Sequence, residues 1–211
     1  MMEHMVHTAA VILAAGMSRR MGDTDKLTLC IGGMPMYQHG IALSCGCGLF
    51  SAVVVVTNQP EIAAFAQQRG ARVVNNPRAK QGQGTSVAAG TCALPKDTDF
   101  CVFLAADQPF LTKEILKLLT ETAERTGNIV VPRVCGMPKS PCIFPKRFLE
   151  QCKALSGETG GKGIYRQHLD EVTWVDFPDS AAWRDIDTAR DYNAAISGVS
   201  AEKQDAVQAI P

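Results

Sequence analysis

The chain has 211 residues, with 21 lysines and arginines against 21 aspartates and glutamates, so its formal net charge at pH 7 is +0. That balance supplies no global field to recruit nucleic acid or an anionic membrane, and any anion must be bound by local groups. No apolar run reaches the ~18 residues of a membrane span, and the start MMEHMVH lacks the basic-then-apolar plan of a signal peptide, so a cytoplasmic protein is expected.

Chain length suits a single hydrophobic core. The 8 cysteines form no C-x-x-C pair, which points to reduced thiols, with Cys30, Cys92, Cys101 and Cys142 in apolar surroundings acting as small hydrophobes. The four histidines have no spacing suited to a metal site or a triad, and G-x-S-x-G is absent.

The first element is the apolar run Thr8 to Leu13, a buried strand, which feeds the loop Ala14-Ala15-Gly16-Met17-Ser18-Arg19-Arg20-Met21-Gly22-Asp23-Thr24-Asp25-Lys26. Small residues where a ligand approaches the backbone, followed by cations, describe an anion-binding loop. It fits neither G-x-x-x-x-G-K nor G-x-G-x-x-G. Backbone N–H groups from Gly16 onward suit β- and γ-phosphates, Arg20 suits a forked contact to phosphate oxygens, and Lys26 suits a point charge on the bridging oxygens. An ordinary strand-to-helix turn with surface arginines is the competing reading.

Further along, Tyr37 to Cys45 reads as a helix, Ala52 to Thr57 as a buried β-branched strand, Glu61 to Arg69 as a helix stopped by Gly70, and Ala71 to Val74 as a strand. The loop Gly82-Gln83-Gly84-Thr85-Ser86 is expected to feed a helix over Val87 to Leu94, capped by Thr85 or Ser86. Gly82, Gly84 and Ser86 either let a base or ribose approach the backbone or form a flexible surface loop. Phe100 to Ala105 reads as a strand ending at Asp107-Gln108-Pro109, and Thr112 opens an amphipathic helix to about Arg125.

Asp107 therefore stands where a strand delivers a carboxylate to the sheet edge, a position suited to Mg²⁺, with a turn cap before Pro109 as its alternative. Beyond Asn128 come an apolar segment around Ile129 to Pro132, a Gly/Pro-broken stretch, a helix after Phe144, a late strand over Val172 to Phe177 and a helix over Ala189 to Ile196. Asp185-Ile186-Asp187 offers a second carboxylate for a metal, Asp187 being favoured, or a cap for that last helix. The domain is drawn over residues 1–197 with a tail over 198–211. The alternation of strands and helices predicts a mostly parallel sheet covered by helices, whose carboxyl edge gathers the ligands.

L-A-A-G-x-S-x-R-M-G with a following lysine, here Leu13 to Gly22 and Lys26, together with Gly82 to Ser86, Asp107-Gln108-Pro109 and Asp185 to Thr188, resembles the molybdenum cofactor nucleotidyltransferases, most closely their cytidylyltransferase branch. The resemblance spans about residues 8 to 196. It implies a single Rossmann-like, three-layer α/β domain of the nucleotide-diphospho-sugar transferase type. It also implies transfer of CMP from CTP to the phosphate of molybdopterin, with Mg²⁺ as cofactor, pyrophosphate as product and a molybdenum hydroxylase apoenzyme as the downstream partner. By motif match Leu13, Ala14, Ala15 and Gly16 would contact CTP, as would Arg20, Lys26, Gly82 and Ser86. Arg20, Lys26 and Asp107 would be catalytic, and Asp107 and Asp187 would hold the metal.

Ala14-Ala15 resembles the cytidylyl branch, the guanylyl branch having L-A-G-G there. The chain departs on the acceptor side, with Lys139-Ser140-Pro141 where the branch has G-H-P, and Gly157-Glu158-Thr159-Gly160-Gly161-Lys162 where it has G-D-x-G-A-R. The alternatives are a transferase using GTP or a sugar or polyol phosphate, and a non-catalytic carrier that inserts the cofactor.

Overall fold

A computed structural model describes residues 5–16, 25–184, 186, 188 and 190–197. Arg20, Asp185, Asp187 and the tail drawn over 198–211 lie outside the described residues. The sheet is built from β1 (Thr8–Leu13), β4 (Ala52–Val56), β5 (Arg72–Val74), β6 (Phe100–Ala105), β7 (Ile129–Val134), β8 (Met137–Pro138), β9 (Cys142–Pro145) and β10 (Val172–Phe177). β2 (Cys30–Ile31) and β3 (Met34–Pro35) form a separate hairpin. The helices are α1 (Met36–Gly46), α2 (Pro60–Gln68), α3 (Gln83–Cys92), α4 (Lys113–Thr126), α5 (Leu149–Lys153) and α6 (Lys162–Gln167), and residues 190–197 are helical as well.

The strand order is β10-β7-β9-β6-β1-β4-β5, with β8 paired to β7. β1 pairs in parallel with β4 and β6, β4 with β5, and β7 with β10. β9 alone on that path runs against both its neighbours, β6 and β7. The parallel majority follows from the strand–helix alternation. The reversal at β9 follows from the short connection after β7, too short for a crossover helix.

Side chains alternate across the sheet. On one face Ala10, Ile12, Val102 and Leu104 meet Met36 and Ile41 of α1, Ile62 of α2, and Leu116 and Leu119 of α4. On the other, Val11, Val54, Cys101 and Phe103 meet Val87 of α3, Leu149 and Cys152 of α5, and Ile164 and Tyr165 of α6. The result is a three-layer α/β domain with apolar strands buried on both faces, as expected of β-branched runs such as Ala52–Val56.

Local chemistry sets the helix ends. In α4, Leu116, Leu119 and Ala123 recur at helical spacing and are fully buried. Thr112 caps its start, its hydroxyl accepting from the Ile115 N–H at 3.4 Å, and Gly127 ends it in the left-handed conformation at φ 68°. The expectation for α3 needs correction. The helix begins at Gln83, four residues early, and neither Thr85 nor Ser86 caps it. Both lie inside the helix because their hydroxyls are taken by the Asn76 side chain, at 2.9 Å each.

The cysteine reading also divides. Cys101 is buried and Cys142 half-buried, but Cys30 and Cys92 are exposed, the first in the outlying hairpin and the second at the last turn of α3. Among the described residues no helix is long and apolar enough to cross a membrane.

Candidate active site

Strand β1 brings its carboxyl end between β4 and β6, and both neighbours hold it past the last strand residue. The Ala14 N–H donates to the Val56 carbonyl at 2.9 Å, and the Ala106 N–H donates to the Leu13 carbonyl at 3.1 Å. Ala14 is therefore committed to the sheet, fully buried, and the chain leaves the sheet at Ala15 and Gly16. A Cβ at Gly16 would meet nothing within 4 Å among the described residues.

The chain returns at Asp25, which caps the short turn Lys26–Thr28 by accepting from the Leu27 N–H at 3.0 Å and accepts from the Gln59 side-chain amide as well. This anchors Lys26. Its Nζ donates to Asp107 Oδ2 at 2.6 Å, joining residues 81 positions apart. The two side chains are 15% and 21% exposed, so the pair is shielded enough to be a firm charge-assisted contact yet open to a ligand. Lys26 and the residue Asp107 beyond the end of β6 are thus brought together, while residues 17–24 of the loop between them in the sequence motif lie outside the described residues.

The Gly82 loop has a different construction from either sequence reading. Gly82 has φ 116°, and a Cβ there would lie 2.3 Å from the Gly157 carbonyl carbon and oxygen. At Gly84 a Cβ would lie 2.7 Å from the Ser156 oxygen, and the Gly84 N–H donates to the Gly157 carbonyl at 2.9 Å. These glycines press backbone against backbone. Ser86 is 5% exposed and sits below that seam.

A polar group that sequence reasoning missed supports it. Just past the ends of β4 and β5, the Asn58 carboxamide donates to the Asn76 carbonyl and accepts from the Asn76 N–H, both at 2.8 Å, and the Asn76 side-chain amide donates to the Thr85 and Ser86 hydroxyls. Asparagine after each of two adjacent parallel strands was the available signal, since such residues close strand ends through side-chain to backbone bonds.

Beside the end of β6 lies a cavity of about 580 Å³. Leu13, Phe103, Val134, Phe144 and Tyr165 supply apolar wall, with the Phe103 and Phe144 rings edge to face at 5.7 Å. Gln83, Lys139, Ser140, Lys162 and Asp179 supply polar groups. The wall comes from four strands and a helix scattered through the chain, which is why periodicity did not reveal it. Ala105, two residues before Asp107, lies in the same wall.

Cys142, also in the wall, has its thiol pushed up to about 12 by desolvation, as has Cys152, and burial raises Cys101 too. Only the thiolate attacks a disulfide reagent, so at pH 8 these three stay protonated and slow. Titration with an aromatic disulfide followed by peptide mapping is expected to label exposed Cys30, Cys92 and Cys135 first.

The MobA-like NTP transferase domain model matches residues 10–172. The chain belongs to the MobA-like NTP transferase family. It is a nucleotidyltransferase by that membership, and the matched segment contains the loop that follows β1, Lys26, the Gly82 seam, Asp107 and most of the cavity wall.

The purine catabolism protein PucB of Bacillus subtilis (strain 168) is 29% identical over 201 residues, covering 90% of this chain and 96% of that one. A molybdenum cofactor guanylyltransferase of Histophilus somni (strain 2336) is 30% identical over 177 residues, covering 80% and 85%. Among solved structures, a nucleotidyl transferase from Methanothermobacter thermautotroptrophicus superposes with a TM-score of 0.78 at 18% identity, covering 93% of this chain and 99% of that one. That structural likeness carries the fold of this MobA-like transferase.

Proposed function

We propose that this MobA-like transferase moves CMP from CTP to the terminal phosphate of molybdopterin, releasing pyrophosphate, and that its product passes to a molybdenum hydroxylase apoenzyme. The observation that supports the acceptor assignment is the mixed cavity whose wall includes Ala105, two residues before Asp107, with aromatic and aliphatic side chains on part of it and two lysines on another. A sugar or polyol phosphate would place several hydroxyls against Phe103, Val134 and Phe144, each unpartnered hydroxyl costing ~1–3 kcal/mol. A planar ring system gains from the same wall, and Lys139 and Lys162 suit its phosphate.

The chain's residues divide the work. The acceptor phosphate oxygen attacks the α-phosphorus of CTP, the bond from that phosphorus to the bridging oxygen breaks, and pyrophosphate leaves with the electron pair. The attacking phosphate is already anionic, so positioning and charge neutralisation dominate and no strong base is needed. Lys26 exchanges Asp107 for the oxygens of the leaving pyrophosphate. Arg20 is assigned a fork to the phosphates.

Asp107 fits Mg²⁺ in donor chemistry, since a strand-end carboxylate with phosphate oxygens and water is the set this ion prefers. Among the described residues no group of three or more His, Cys, Asp or Glu side chains gathers to hold a metal. Asp107 would hold it, with Asp187 as second carboxylate; when bound it would neutralise triphosphate charge.

Ala15 bears on the base. Its methyl belongs to the apolar cluster with Val56 and Val87, and glycine at this position marks the guanylyl branch. A second reading, transfer of GMP from GTP, is favoured by the name of the Histophilus relative. Incubating the protein with molybdopterin and each nucleoside triphosphate in turn, and measuring pyrophosphate, separates the two. CTP is the expected substrate, and release with GTP alone overturns the cytidylyl reading. Ala15→Gly is expected to shift the kcat/KM ratio toward GTP by roughly tenfold, the effect of one methyl-sized change in a binding wall.

A further inference from the structure

We propose that Gln83 is a specificity-determining residue that hydrogen-bonds the acceptor, an assignment that rests on the acceptor reading above. Gln83 is the first residue of α3, between the two glycines whose backbones press on 156–159. The seam fixes its main chain. Its side chain lies over Gly160, where a Cβ would stand 2.9 Å from Oε1, 3.3 Å from Cδ and 3.6 Å from Cγ. From there it lines the cavity, as do Gly161 and Lys162, together with the apolar Phe103, Val134 and Phe144 and the polar Lys139, Ser140 and Asp179.

A carboxamide presents a donor and an acceptor in one plane. In this setting it suits a heterocycle edge carrying adjacent N–H and C=O groups, the kind of edge an amino-oxo pyrimidine ring of a pterin offers. The lysines serve the anionic end and provide no such reading. Gln83 thus discriminates acceptors, while Thr85 and Ser86 on the same helical turn accept from the Asn76 amide.

The test measures KM for molybdopterin and for CTP separately in the wild type, Q83A, G160A and the double variant. Gly160 lies outside the positive-φ glycines, and the added methyl meets only the movable end of Gln83, so G160A is expected to keep its melting temperature. Q83A is expected to raise the molybdopterin KM roughly tenfold with the CTP KM unchanged. G160A, by pushing the carboxamide aside, shifts the same constant in the same direction, and the double variant is no worse than Q83A. An unmoved molybdopterin KM in Q83A, a shift in the CTP KM instead, or an additive double variant each overturns the assignment while the acceptor reading stands. A wild-type protein that releases no pyrophosphate with molybdopterin overturns that reading and this assignment together.

Discussion

Asp107→Asn is expected to lower kcat for pyrophosphate release by about 10²–10³ without loss of the fold. The substitution keeps the shape of the side chain and removes its charge. Lys26 Nζ, held 2.6 Å away and 15% exposed, then faces a neutral amide in place of the Asp107 carboxylate, and the proposed metal loses its described carboxylate. The fold survives at a cost of about 1–3 kcal/mol, because a largely shielded ion pair is broken while the asparagine oxygen still accepts from Lys26. A thermal melt alongside a pyrophosphate assay therefore separates chemistry from unfolding.

The same variant decides between catalysis and carriage. If Asp107→Asn loses pyrophosphate release yet still delivers preformed cofactor to an apo-hydroxylase, insertion is a separate property of the protein. A variant that releases pyrophosphate at the wild-type rate removes Asp107 from the mechanism altogether.

The second large effect is on stability. Gly82→Ala places a methyl carbon 2.3 Å from the Gly157 carbonyl and 2.5 Å from the Glu158 nitrogen, backbone atoms that have no rotamer by which to move away. It also asks alanine to adopt φ 116°, a region costing ~1–3 kcal/mol for a residue with a Cβ. With overpacking of ~1–3 kcal/mol added, a loss near 3 kcal/mol is expected, or a fall of about 6–12 °C in melting temperature for a chain of this length.

Gly84→Ala carries only the steric part and should fall less. Gly16→Ala, with open space around it among the described residues, should leave the melt within about 1 °C while weakening CTP. An unchanged melt for Gly82→Ala would mean that the seam is not closed in solution.

These two glycines also mark where sequence reading stops. The convergence of Lys26 and Asp107 was legible because each closes an apolar strand-to-loop pattern, and parallel strands deliver their ends to one edge. The seam was not legible. Nothing local to Gly82 indicates that its neighbour is Gly157, so a glycine chosen for backbone contact looks the same as one chosen for a ligand. The early start of α3 was hidden for a related reason, since Thr85 and Ser86 carry ordinary capping chemistry until Asn76 takes their hydroxyls. Phe103, Phe144 and Tyr165 meet only through tertiary packing, each having the pattern of a plain core residue.

The reversed strand β9 has a consequence for how such an enzyme changes substrate. Because β9 runs against β6 and β7, the connection over 135–141 opens and closes on the edge where Asp107 stands, and the chain then crosses back to the far edge before α5. One short hairpin thus forms a detachable face of the cavity. Lengthening or exchanging it leaves the β1, β4 and β6 registers, and with them Lys26 and Asp107, in place. The seam of strand direction thus separates the 135–141 side of the cavity from the strands that hold Lys26 and Asp107 in place.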